Sequence, residues 1–160
     1  MQKLAVLKEE KKRWLTLNPP PHNENQIKDY HRNFTQRVNE WLDAGYGSCV
    51  LARPDIFRLV ESALNFFNGQ RYVLGEYVVM PNHVHALLKP IANHELYRIL
   101  HSWKSFSANQ INRIIGSRGV VWHPETFDHI IRSATQLARI EQYVRDNPKS
   151  LPISKRADIA

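Results

Sequence analysis

The sequence predicts an α+β protein organised on an antiparallel sheet. Three observations carry that expectation: several stretches with the apolar spacing of helices, two β-runs so close together that they pair as a hairpin, and an element order that departs from strict strand-helix alternation. Composition agrees. The 160 residues are 42 % hydrophobic and 10 % aromatic, enough for one buried core, and the longest apolar runs fall far short of a membrane span. Met1-Gln2-Lys3-Leu4 followed by a Lys-Glu cluster lacks the pattern of a secretory leader, so the expected location is cytoplasmic, with no membrane partner. Cys49, the single cysteine, excludes an internal disulfide and a Cys-based zinc cluster and is read as a small apolar residue. With 22 Lys and Arg against 15 Asp and Glu the formal net charge is +7, which suits a polyanionic partner such as nucleic acid without specifying one.

Residues 1–12 read as a charged N-terminal arm, 13–152 as one domain and 153–160 as a basic tail. Arg13-Trp14-Leu15-Thr16-Leu17 has the aromatic and branched character of a first strand, which Asn18-Pro19-Pro20-Pro21 ends. From Asn25 to Ala44, Ile27, Tyr30, Phe34, Val38 and Trp41 recur at spacings of three and four, as on an amphipathic helix closed by Gly45. Ser48 to Leu51 reads as a short extended piece. Pro54 opens a second helix with the stripe Ile56, Leu59, Val60, Ala63, Leu64 and Phe67, and Asn68-Gly69 ends it. Arg71 to Met80 and His83 to Lys89 form the hairpin at the centre of the sheet. Asn93 can cap a long helix to about Ile115, with Leu96, Ile99, Leu100, Trp103, Ile111 and Ile114 inward. Val120 to His123 and Thr126 to Ile131 read as a further strand broken at Pro124. Ser133-Ala134-Thr135-Gln136 is a capping box for a last helix that runs until Asn147 meets Pro148.

The chemistry gathers at Pro81-Asn82-His83-Val84-His85. Side chains alternate along a strand, so His83 and His85 share one face and two imidazoles stand side by side, which is half of a metal site. The plainer reading is a pair of hydrogen-bonded histidines. Tyr143 and Asn147, four residues apart, share one face of the last helix close to its apolar stripe. An aromatic there is ordinarily core and an Asn before proline ordinarily a cap. If that helix packs over the hairpin, Asn147 can offer an oxygen as a third ligand and Tyr143 a phenol beside it. His123 and His129 are read as structural or DNA-facing, and His94 and His101 receive no role.

One ordered set of segments carries a family resemblance: Tyr77-Val78-Val79-Met80-Pro81-Asn82-His83-Val84-His85, Trp103-Lys104-Ser105-Phe106-Ser107, Val121-Trp122-His123, Phe127-Asp128-His129-Ile130-Ile131-Arg132, and Tyr143-Val144-Arg145-Asp146-Asn147-Pro148. Together they resemble the single-tyrosine HUH transposases, the IS200-like type, and most of all their REP-associated branch. The resemblance runs from about Arg71 to Pro152. It implies a ferredoxin-like antiparallel sheet with helices on one face, a divalent metal, Mg²⁺ or Mn²⁺, bound by His83, His85 and Asn147, and Tyr143 as nucleophile. It further implies cleavage and rejoining of single-stranded, hairpin-forming DNA through a 5′-phosphotyrosine, by a protein expected to be a nucleoid-associated monomer. Given such a substrate, Lys104, Arg118 and Arg132 are the expected backbone contacts, from a basic group that also includes Arg113 and Arg145. Trp122 and the tail Lys149 to Arg156 are candidates for contacts to unstacked bases. Two other readings compete: a domesticated DNA-binding module without chemistry, and a metal-dependent hydrolase in which Tyr143 is merely packed.

Overall fold

The structure, a computed structural model, describes residues 2–124, 126 and 128–147. The chain divides into two compact units, Met1–Leu42 and Asp43–Ala160.

The first unit is helical. Helix α1 spans Gln2–Leu17, where an arm and then a strand were expected. The correction has a physical reason: Leu7 and Trp14 lie two turns apart, so they share one face, and Leu7 is buried while Trp14 is half-buried. Trp14 meets Tyr30 and Phe34 edge-on, with ring centroids 5.4 and 6.1 Å away. Read as an isolated pentapeptide, Arg13 to Leu17 has strand composition; continued back to Leu7, it has helical period. Asn18 closes the helix, its backbone and side-chain N–H groups both donating to the Trp14 carbonyl. The expected second helix forms as α2 (Glu24–Tyr30), a π-turn at His31–Thr35 and α3 (Gln36–Asp43). Asn23 and Gln26 exchange the two bonds of a capping box at its start.

In the second unit a 3₁₀ turn, Val50–Ala52, replaces the extended piece expected at 48–51. Helix α4 is Pro54–Asn65, with proline in its first turn. Strands β1 (Tyr72–Val79) and β2 (Val84–Pro90) pair antiparallel, Val78 opposite His85 and Val79 opposite Val84. Helix α5 is Leu96–Ile115, ended by Gly116 in the left-handed region at φ 65°. Helix α6 is Ala134–Asp146; the Ser133 hydroxyl accepts from the Gln136 N–H, and Gln136 Oε1 accepts from the Arg132 N–H. The α+β class with an antiparallel sheet is therefore present, and the sheet among the described residues is this hairpin.

No strand forms at 120–124, nor at the described positions from 126 to 131. Side chains hold this stretch instead. The Trp122 indole N–H donates to Ser107 Oγ at 2.8 Å, and Lys104 Nζ donates to the His123 carbonyl at 2.9 Å. Phe127, Pro148 and the basic tail lie outside the described residues.

The core lies between one face of the hairpin and helices α4 and α5. Ile56, Val60, Leu64, Tyr72, Val79, Ile99, Trp103 and Ile111 are buried there. Tyr72 is its polar pin: its hydroxyl donates to the Leu64 carbonyl at 2.6 Å and accepts from the Trp103 indole at 2.9 Å. A bulge between Leu74 and Tyr77 resets the alternation of β1, so that Tyr72 and Leu74 before it and Tyr77 and Val79 after it all face this core. The opposite face, with Val78 and His85, is left for α6, tied to β1 by an Arg145–Glu76 ion pair at 3.0 Å.

Candidate active site

The site lies in the second unit, on the α6 face of the hairpin. His83 sits in the tight connection before β2, where the Met80 N–H donates to the His83 carbonyl at 2.8 Å and the Leu51 N–H donates to the Pro81 carbonyl at 3.0 Å. His85 follows two residues later on the same face, as alternation requires. Their Nε2 atoms are 3.0 Å apart, and their rings meet at 85°.

Asn82 sets the state of His83. Its Nδ2 donates to the Tyr46 carbonyl at 2.7 Å, which leaves Oδ1 to face His83 Nδ1 at 2.8 Å. An amide oxygen only accepts, so Nδ1 carries the hydrogen and Nε2 turns a lone pair into the site. Burial, the largest influence, keeps the His83 imidazolium unfavourable and its pKa below the ordinary value, although Asp43 works the other way.

Asp43 is the residue that sequence reasoning missed. It is the last residue of α3 and the first of the second unit. Its Oδ1 lies 3.2 Å from His83 Nε2 and 3.6 Å from His85 Nε2. The same carboxylate accepts the Tyr143 hydroxyl through Oδ2 at 2.9 Å and the Asn147 Nδ2 through Oδ1 at 3.3 Å. Burial alone would raise its pKa, but the two imidazoles beside it and the hydrogen bonds donated by Tyr143 and Asn147 outweigh that and hold it well below the usual carboxylate range. Burial and the neighbouring carboxylate together push the Tyr143 phenol above its ordinary range. The resting tyrosine is therefore neutral, with its proton on the phenol and its hydrogen bond on Asp43.

The structure thus brings together four of the expected site residues, His83, His85, Tyr143 and Asn147, around one carboxylate. The His85 and Tyr143 ring centroids are 5.3 Å apart within a single chain. Asn147 is buried and turns its amide nitrogen, not its oxygen, toward Asp43; a half-turn of the amide would exchange the two. The cluster suits a cation. Donor atoms of Asp43, His83 and His85 all lie within 4.8 Å of one another. Two imidazole nitrogens and a carboxylate oxygen crowded in this way need a proton or a metal ion among them to be at ease.

The other candidates stand elsewhere. Arg113, Arg118 and Arg132 are exposed. Arg145 is held by Glu76, Lys104 by the 123–124 backbone, and Trp122 is half-buried against the core with its N–H on Ser107.

A family model described as "Transposase IS200 like" matches residues 48–147, more than half of the chain, including His83, His85, Tyr143 and Asn147. The chain belongs to this family. No curated protein and no solved structure gives a match. Membership implies DNA binding and a DNA-cleaving activity for this IS200-like transposase. Asp43 lies outside the matched stretch, five residues before it begins. No helix among the described residues is long and apolar enough to cross a membrane. The only early sign of Asp43 was local: an acid in the last turn of a helix opposes the helix dipole and calls for some other reason to be there.

Proposed function

We propose that this IS200-like transposase cleaves and rejoins single-stranded DNA through Tyr143, assisted by a divalent cation, Mg²⁺ or Mn²⁺, at His83 and His85, with Asn147 as a further ligand. The observation that supports it is the meeting of the Tyr143 phenol with both histidines of its own chain around Asp43. When bound, such an ion polarises a non-bridging phosphate oxygen and draws off the charge that builds during displacement.

The chain's own residues supply the rest. Asp43 Oδ2 fixes the direction of the phenol oxygen and is the nearest acceptor for its proton. The phenol oxygen attacks phosphorus, the bond from phosphorus to the 3′ oxygen breaks, and that oxygen leaves as a hydroxyl after taking up a proton. The strand is then held as a 5′-phosphotyrosine. An aryl oxide is a good enough leaving group for an incoming 3′-hydroxyl to reverse the step, so joining requires no ATP. Exposed Arg113, Arg118 and Arg132 are proposed to meet the DNA backbone, and Lys104 and Arg145, each already held by a protein partner, to add to the same basic surface. The ordered motifs support a substrate that folds into short imperfect hairpins, as in the REP-associated branch.

The test is incubation of the protein with an end-labelled hairpin oligonucleotide and Mg²⁺ or Mn²⁺. A covalent protein–DNA adduct that disappears in Tyr143→Phe and on chelation is expected. DNA binding with no adduct under either metal would overturn the reading in favour of a binding module.

A further inference from the structure

We infer that Asp43 is a metal ligand of this transposase, so that its cation is held by two imidazoles and a carboxylate supplied from before the family-matched region. The inference rests on the cation site proposed above and goes beyond it by naming a donor that neither the histidine pair nor the helix carrying Tyr143 contains.

The spacing of the donor atoms carries it. Two ligand atoms each roughly 2.1 Å from a shared ion lie about 3.0 Å apart at a right angle and about 3.4 Å apart at a tetrahedral angle. The observed separations are 3.0 Å between the two Nε2 atoms, and 3.2 and 3.6 Å from those atoms to Asp43 Oδ1. All three pairs fall near the distances that one ion imposes. The lone-pair side of His83 is already selected, since Asn82 holds the hydrogen on Nδ1. Of the carboxylate's two oxygens, Oδ1 faces the histidines and Oδ2 holds the phenol, so metal and nucleophile are connected through one side chain.

A carboxylate adds to the site what a neutral amide ligand such as Asn147 cannot supply. Asp43 brings a formal negative charge and a hard oxygen, which two neutral imidazoles lack, and that is what Mg²⁺ and Mn²⁺ select. Asn147, donating its N–H to the same Oδ1, orients the carboxylate in the present arrangement.

The experiment is titration of the full chain with Mn²⁺, followed by electron paramagnetic resonance and by calorimetry, without DNA. The proteins compared are wild type, Asp43→Asn, Asp43→Ala, Tyr143→Phe and the His83→Ala/His85→Ala double variant. Asp43→Asn keeps shape and an oxygen for the tyrosine, so weakened binding with an unchanged metal-free melting temperature separates ligation from folding. Both Asp43 variants are expected to lose about tenfold or more in affinity, and Tyr143→Phe to bind as wild type does. Wild-type affinity in both Asp43 variants, with binding lost in the histidine variant, would overturn the inference and leave the histidine site standing. A loss in Tyr143→Phe equal to that in Asp43→Asn would also overturn it, because Asp43 would then act only through the tyrosine. Absence of Mn²⁺ binding in wild type would overturn the cation site itself.

Discussion

Asn82 decides which nitrogen of His83 faces the site, and it does so from the tight connection that precedes β2. The Tyr46 carbonyl orients the Asn82 amide, the amide oxygen holds the hydrogen on Nδ1, and Nε2 is left as a donor to a cation. Asn82→Ala is therefore expected to weaken Mn²⁺ binding about 10- to 100-fold, the usual effect of removing such a support. Asn82→Asp, which still accepts from Nδ1, should lose less. The measurement is the same metal titration, and equal affinity in wild type and Asn82→Ala would sink the argument. At this scale the sequence was legible wherever a regular period carried the information. His83 and His85 share a face because a strand alternates, and Tyr143 and Asn147 because a helix turns every 3.6 residues. Asp43 was not legible, because nothing local links a single carboxylate at a helix end to a histidine pair far along the chain.

Helix α6 carries Tyr143, the proposed nucleophile, and its attachments show how an element can be positioned with modest burial. Among its described side chains Val144 is the one buried, Tyr143 is 43 % exposed, and Arg145 reaches Glu76 on β1. The start of the helix depends on Ser133, whose hydroxyl satisfies the Gln136 N–H. Ser133→Ala is expected to cost about 1 kcal/mol and to act locally, since the core between the hairpin and α4 and α5 does not include this end. Amide hydrogen exchange should quicken in the first turn of α6 while that of α5 stays unchanged. Unaltered exchange in α6 would remove the cap from the account. The hairpin, α4, α5 and α6 were readable from period and caps, with ends shifted by a few residues. Two expected strands were not formed, for different reasons. Arg13 to Leu17 is the end of a helix whose period appears only when Leu7 is included. Val120 to Pro124 is shaped by bonds from Ser107 and Lys104 on α5, which no local pattern announces.

At the scale of the whole molecule the excess of 22 basic over 15 acidic residues becomes informative once DNA is the substrate class, because the separate arginines then have different tasks. Arg145 is paired to Glu76 across α6 and β1, so its removal alters the seating of the tyrosine helix as well as the charge. Arg118 and Arg132 are exposed and form no salt bridge with a described residue, so their charges can meet phosphate without first breaking one. A lysine or arginine that neutralises one phosphate of a single strand releases counterions and contributes about 0.7 to the slope of log affinity against log salt. Arg118→Ala and Arg132→Ala are each expected to lower that slope by about this amount and to weaken binding of unrelated single-stranded sequences to a similar degree. Metal affinity and melting temperature should not change, as neither side chain touches the histidines or the core. Binding measured from low to physiological salt decides the matter: an unchanged slope would take both residues out of the DNA interface, and a loss confined to one sequence would make the contact one to a base.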